Sequence, residues 1–185
     1  MINRIKFLKS AIFGKKVGAI SRSSKYVTKA VLNNIGNLPL KRVIEYGPGD
    51  GIVTRKLLDN LSLGGKMLVI ETDNHFAHIL ENIGDSRLIV IQKKIQDVIP
   101  DLNELGFENA DLIVSSIPFS LIEKTERDYI VLNSLKILKP DGIFIVFHQY
   151  SKIMVKPLRH YFGNVKTKFE LRNVLPCFIM CSKKL

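Results

Sequence analysis

Val43-Ile44-Glu45-Tyr46-Gly47-Pro48-Gly49-Asp50-Gly51 is the stretch on which the fold turns: an apolar run ends in an acid, and glycines follow on alternate positions. The apolar run predicts a buried strand. Glycines at 47, 49 and 51 strip the Cβ atoms from one edge of the turn that leaves it, so a nucleoside or phosphate can approach the main chain closely. Val53, Leu57 and Leu58 continue at helical spacing, which predicts a helix over 52–60 with its first N–H groups towards the ligand. Strand, glycine turn and helix make the opening unit of a nucleotide-binding α/β fold. Glu45, Gly47, Pro48, Gly49, Gly51 and Ile52 are its candidate ligand-binding residues.

Downstream, Leu63-Gly64-Gly65 predicts a turn into a buried strand over 66–71 that ends in Glu71. That acid lies about 20 residues beyond the glycines, where a carboxylate at a strand end accepts ribose hydroxyls. Glu71 and its neighbour Thr72 are therefore the next candidates. Asp73 is placed to cap a helix over 74–83, on which His75 and His78 sit at i and i+3; with no third ligand in view, they read as a solvated face, not a metal site. A third strand over 88–91 leads into Gln92-Lys93-Lys94-Ile95-Gln96-Asp97, and a fourth over 111–115 delivers Ser115-Ser116-Ile117-Pro118-Phe119. Proline fixes the backbone there, so the carbonyls of the loop are held rigidly. A helix over 123–138, a turn at Lys139-Pro140-Asp141-Gly142 and an apolar strand over 143–147 bring His148, Gln149 and Tyr150 out at the same end as the other loops; His148 and Tyr150 are candidate proton acceptors. The basic segment 151–162 holds Lys152, Lys156, Arg159 and His160. Strands over 166–174 and 178–182 then form an antiparallel pair at the sheet edge. Alternating strands and helices of this kind predict an α/β sheet.

Upstream, Ser23 and Ser24 offer hydroxyls to cap a helix over 21–35 whose stripe is Val27, Val31 and Ile35 and whose stop is Gly36; residues 37–41 link it to the first strand. As a helix that enters just before the glycine turn, it makes Ser23, Ser24 and Tyr26 further candidates for one wall of the cleft. Residues 1–16 place Ile2, Ile5, Leu8 and Ile12 at helical spacing among Arg4, Lys6, Lys9, Lys15 and Lys16. This is a basic amphipathic helix, suited to packing on the domain or to lying in a membrane interface.

Composition bounds the function. With 185 residues, 46% of them apolar, the chain can bury a core as a single compact domain. It has no apolar run of the roughly 20 residues that span a bilayer, and residues 1–16 lack the apolar region and small-residue site of a secretory signal, which points to the cytoplasm. Cys177 and Cys181 have no second pair with which to hold zinc, so their role is structural. The net charge of +11 favours polyanionic partners, either nucleic acid or an anionic membrane leaflet.

The spacing Glu45-x-Gly47-x-Gly49-x-Gly51, with Ile52 where a dinucleotide fingerprint has glycine, resembles motif I of class I S-adenosylmethionine-dependent methyltransferases. Over nearly the whole chain, the sequence resembles small soluble bacterial phospholipid N-methyltransferases, relatives of the ribosomal RNA adenine dimethylases. That resemblance rests on Val17-Gly18-Ala19-Ile20 followed by Ser23-Ser24, on residues 45–51, on Ser115-Ser116-Ile117-Pro118 and on Asn173-Val174-Leu175-Pro176. It implies a Rossmann-like seven-stranded sheet, mostly parallel with an antiparallel C-terminal strand, with N-terminal helices over 1–36 and a core over 37–185. It also implies S-adenosylmethionine as cofactor, held by the glycine-turn residues together with Glu71, Thr72, Ile95 and Ser115. The carbonyls of Ser116, Ile117 and Pro118 would hold an acceptor amine, with Phe119 as an apolar wall. The implied reaction is methylation of the amine of phosphatidylethanolamine at an anionic membrane surface. The enzyme would be a metal-free monomer, attached peripherally through its first helix.

Two departures matter. Lys93 and Lys94 stand where such methyltransferases carry a glycine-aspartate-alanine step whose acid binds the adenine amine, leaving that contact to backbone groups, Ile95 or Gln96. Ser116 stands where dimethylases have asparagine, and the helical RNA-binding domain expected after a dimethylase core has no counterpart in this sequence. RNA adenine N6-methylation is thus the alternative to lipid methylation, and a non-catalytic membrane or nucleic-acid binding module is the third reading.

Overall fold

The computed structural model describes residues 23–173 and 175–185, apart from the side chains of His148 and Gln149. The expected helix over 1–16 and the 17–20 motif lie outside the described residues. The first described helix, α1 (Lys25–Ile35), begins where Ser24 accepts a hydrogen bond from the Val27 N–H and ends at Gly36, whose φ of 60° lets the chain turn away. Then follow β1 (Leu40–Tyr46), α2 (Ile52–Asp59), β2 (Leu61–Glu71), α3 (Asn74–Glu81), β3 (Leu88–Gln92), the short α4 (Ile95–Val98) and β4 (Ala110–Ser115). The rest is α5 (Lys124–Ile137), β5 (Leu138–Gln149), α6 (Val155–Phe162), β6 (Lys166–Glu170) and β7 (Cys177–Lys183).

The strands form one seven-stranded sheet in the order β3-β2-β1-β4-β5-β7-β6. All neighbours from β3 to β5 pair in parallel, and β7 runs antiparallel to both β5 and β6. The expected architecture is therefore the observed one. Apolar residues run continuously along the central strands because both faces of the sheet are covered. Alternate residues sort into two cores. Val43, Met67, Val69, Leu112, Val114 and Ile145 pack with α1 and α2 on one side, while Ile44, Leu68, Ile70, Ile113, Phe144 and Val146 pack with α5 and α6 on the other.

The turns expected at 63–65 and 139–142 do not interrupt the strands. Each is absorbed as a bulge, between the pairs Leu40↔Leu61 and Arg42↔Lys66 in the first case and Ala110↔Leu138 and Leu112↔Ile143 in the second. Glycine is required at both places by close backbone approach. A Cβ on Gly65 would lie 2.8 Å from the Leu40 carbonyl oxygen, and one on Gly142 would lie 3.0 Å from that of Ala110. The strand over 166–174 is shorter than expected and stops at Glu170. Among the described residues, no helix is long and apolar enough to cross a membrane.

At the edge remote from the strand ends that matter below, Asp111 fastens β1 to β4. Its Oδ2 accepts the backbone N–H groups of Lys41 and Arg42, each at 2.7 Å, and its other oxygen pairs with the Lys139 ammonium. Removing this carboxylate leaves two strand N–H groups and a half-buried cation without it. Asp111→Ala is expected to lower stability by about 2–4 kcal/mol, and Asp111→Asn, which keeps one acceptor, by less. Urea denaturation followed by circular dichroism measures both; equal stability of the Ala variant and the parent would contradict the assignment.

Candidate functional site

The sheet changes direction at β1, with β2 and β3 on one side and β4 on the other, so a crevice opens outside the C-terminal ends of β1 and β4. A cavity of about 500 Å³ occupies it, a size ordinary for small-molecule sites. Its walls are the glycine turn (Gly47 to Asp50), the end of β2 with Thr72 and Asp73, residues 93–96 after β3, and the loop after β4.

Two hydrogen-bonded ties shape it. The Glu71 carboxylate accepts the Gly49 N–H at 3.0 Å through one oxygen and the N–H groups of Thr72 and Asp73, at 2.8 and 3.0 Å, through the other. Asp73 in turn caps α3 by accepting from the N–H groups of His75 and Phe76. On the opposite wall, the Ser116 hydroxyl donates to the Gly47 carbonyl, and the Ser116 N–H donates to the Tyr46 carbonyl at 3.0 Å. Gly47 itself has φ of 66°, and a Cβ there would come within 3.3 Å of the Ile117 side chain. The turn is held open by glycine on one side and fixed by a carboxylate and a hydroxyl on the two others.

Of the candidate residues, Gly47, Pro48, Gly49, Glu71, Thr72, Ile95, Ser116, Ile117 and Pro118 line the cavity, and so does Ser23 at the start of α1. The remaining candidates lie elsewhere. Gly51 heads α2 with φ of 75°, and a Cβ there would meet Arg55 and Leu80; it is needed for packing α2 against α3. Ile52 follows it and donates its N–H to the Asp50 carboxylate at 3.4 Å. Ser115 is buried at the strand end, where its hydroxyl accepts from the Ile117 N–H. Phe119 is fully buried in the core with Ile130 and Val131 and does not wall the cavity, because the short helical turn at Phe119–Leu121 directs it inwards. Tyr150 is 42% exposed just past β5, off the cavity lining. The side chain of His148 is outside the described residues. Tyr26 does not line the cavity either; Arg172 lies over its ring at 4.6 Å. The Ser24 N–H donates to the Asn173 side-chain oxygen at 3.3 Å, so the two outlying pieces of the sequence pattern meet in space.

Glu45 is the largest correction. It lies beneath the turn, wholly buried, with one oxygen accepting from the Thr54 hydroxyl at 2.7 Å and the other without a hydrogen-bond partner among the described residues. Burial pushes its carboxyl up to about 8, and the nearby charges of Glu71 and Asp50 push in the same direction. Asp50, Ile70, Asp73, Phe76, Ile122 and Glu126 also line the cavity, none of them among the sequence candidates. Asp50 and Asp73 flank residues that were singled out, whereas Glu126 in the first turn of α5 reaches the cavity only through tertiary packing.

The ribosomal RNA adenine dimethylase family model matches residues 21–123. The ornithine lipid N-methyltransferase of Singulisphaera acidiphila is 27% identical over 166 residues, covering 88% of this chain and 86% of that protein. Among solved structures, the Bacillus cereus O-methyltransferase in complex with SAH superposes with a TM-score of 0.71 at 16% identity, over 97% of this chain and 96% of that one. The Geobacter metallireducens precorrin-6y C5,15-methyltransferase superposes with a TM-score of 0.69 at 14% identity, over 90% of this chain and 94% of that one. Both share the fold.

The state of Glu45 has a measurable consequence. Its folded value, about 8, exceeds the ordinary 4.5, so the unfolded chain ionises it first and stability falls as pH rises between those values. Glu45→Gln removes the titration. The variant is expected to hold its stability across that window and to exceed the parent at pH 8 by about 2–4 kcal/mol. Denaturation midpoints at pH 5 and pH 8 check this, and parallel declines in both proteins would refute it.

Proposed function

The chain belongs to the ribosomal RNA adenine dimethylase family, and from that premise we infer that it is a methyltransferase that uses S-adenosylmethionine to methylate the amine of a membrane lipid, phosphatidylethanolamine in the first instance. The observation that carries the lipid reading is the similarity to an ornithine lipid N-methyltransferase along 88% of the chain, whereas the family model ends at residue 123. RNA adenine N6-methylation is the second reading, favoured by the name of that family model and by the net charge of +11.

The cavity fits the cofactor. Its floor is a turn bared by Gly47 and Gly49, its rim carries a carboxylate at the end of β2, and Ile70, Phe76 and Ile95 supply apolar wall. Glu71 uses one lone pair per backbone N–H, and the oxygen that bonds only Gly49 keeps one for a hydroxyl donor. When bound, S-adenosylmethionine supplies an activated methyl group, so the protein needs neither nucleophile nor metal of its own. What the chain contributes is alignment of the acceptor. The Ile117 and Pro118 carbonyls already accept the N–H groups of Phe119 and Leu121, at 2.8 and 2.9 Å. The Ser116 carbonyl takes part in neither bond and is the group best placed to receive an amine N–H. Ser116 is held there by its own hydroxyl and N–H, so Ser116→Ala should loosen the loop and lower kcat about tenfold with little change in the fold. Stopped-time assays and circular dichroism read the two quantities.

The 116–118 loop contains no titratable side chain. On this reading the loop receives an amine that is already neutral, and the rate at subsaturating lipid is expected to rise about tenfold per pH unit below the amine's own pKa. A pH-independent rate between 7 and 9 would point to a base elsewhere. The lipid phosphate finds cations in Lys152 and Arg159, and the basic sequence of residues 1–16 favours an anionic leaflet. Incubation with labelled S-adenosylmethionine, liposomes of phosphatidylethanolamine or ornithine lipid, and ribosomal RNA decides the acceptor. Label in phosphatidylethanolamine is expected. Label in ornithine lipid alone would move the acceptor within the lipid class, and label in RNA alone would overturn the lipid reading.

A further inference from the structure

Ribose at Glu71 leaves the nucleobase only one way to go within the cavity. The glycine turn lies on the β1 side of that residue, and the space on its other side, towards β3, is lined by Thr72, Phe76, Lys93, Lys94, Ile95 and Gln96. An adenine there presents an exocyclic amine, which needs an acceptor. Lys93 and Lys94 have donors only, and the carboxylate of Glu126, also on the lining, is engaged by the Gln96 amide. Glutamine has one of each, and the structure fixes which end is which. The Gln96 amide nitrogen donates to the Glu126 carboxylate at 3.3 Å, and a carboxylate oxygen accepts, so the amide nitrogen has to face α5. The Gln96 carbonyl oxygen is thereby turned to the other side, on a residue that lines the cavity.

We propose that Gln96, its amide oriented by Glu126, is the residue that reads the 6-amino group of the cofactor's adenine, in place of the acid that Lys94 displaces. The assignment rests on the reading of the cavity as the S-adenosylmethionine site. It makes Gln96 the contact and Glu126 a positioning residue, joined across the gap between α4 and α5. It also explains how a pair of lysines is tolerated beside the base: both are exposed and carry no part of its recognition.

Calorimetry with S-adenosylhomocysteine and with its inosyl analogue, which carries an oxygen acceptor where adenine has the amine, tests this without turnover. The parent is expected to bind the adenosyl compound at least about tenfold more tightly. Gln96→Ala should lose about tenfold for the adenosyl compound and nothing for the inosyl one, so that the preference collapses. Gln96→Lys, a donor, should reverse it. Glu126→Ala should weaken the preference in the parent and change nothing in the Gln96→Ala background, the mark of two residues acting as one. Gln96 is part-exposed, and thermal melting confirms that each variant is folded. An undiminished adenosyl preference in Gln96→Ala, or an equal loss for both compounds, would overturn the assignment while leaving the cofactor site standing. A parent that binds neither compound would overturn the reading of the cavity itself.

Discussion

One carboxylate sets the geometry on which the rest of the site depends. Glu71 ends β2 with its backbone in the sheet and its side chain bonded to three backbone N–H groups, one from the glycine turn and two from the chain entering α3. Bonds of this kind, from N–H to a charged oxygen, are shorter and stronger than neutral ones. Because Gly49 belongs to the β1–α2 connection and Thr72 and Asp73 to the β2–α3 connection, the carboxylate locks two neighbouring crossovers to each other. Ser116 does the same for the β4 side by bonding to Gly47. The turn is thus fixed from both flanks by the protein alone, and little ordering remains to be done when a ligand arrives.

That rigidity is accompanied by a buried group at odds with its surroundings. Glu45 lies directly under the turn, accepts from the Thr54 hydroxyl and keeps its other oxygen without a hydrogen-bond partner among the described residues, in the interior between β1 and α2. An apolar residue of similar size would fit a strand so thoroughly buried, and the acid costs stability at neutral pH. Strain of this sort collects at functional sites. Here it sits below the floor of the cavity, held largely in its neutral form by burial, so that the floor carries little charge until the pH passes about 8.

Much of this was legible in the sequence, for local reasons. The order of strands and helices followed from apolar runs of strand length separated by helical spacing, and the cavity's floor and rim followed from glycines and an acid at strand ends. Glu71 was read from type and distance alone. What escaped notice was set by tertiary structure. Gly64-Gly65 and Pro140-Asp141-Gly142 carry ordinary turn signals, and only the neighbouring strands β1 and β4 convert them to bulges. Phe119 occupies the residue after a loop proline, which says nothing about which way the ring faces. Glu126 sits on a helix whose surface looks solvated until Gln96 is brought against it. Glu45 reads as a ligand because its neighbours are ligands, yet strand alternation sends it to the other face from the adjacent Tyr46.

The placement of β7 bears on how the sheet is assembled. This strand follows β6 along the chain but lies between β5 and β6, so β6 has no edge to join until β7 is present. The edge of β5, carrying Phe144, Ile145 and Val146, must stay unpaired through the formation of α6 and β6. Either the β6–β7 hairpin forms first and docks as a unit, or β7 inserts and β6 closes over it. Both routes delay one long-range antiparallel pairing until the parallel half has collapsed, which makes the β5 edge the place where a partly folded chain is most open to pairing with another molecule.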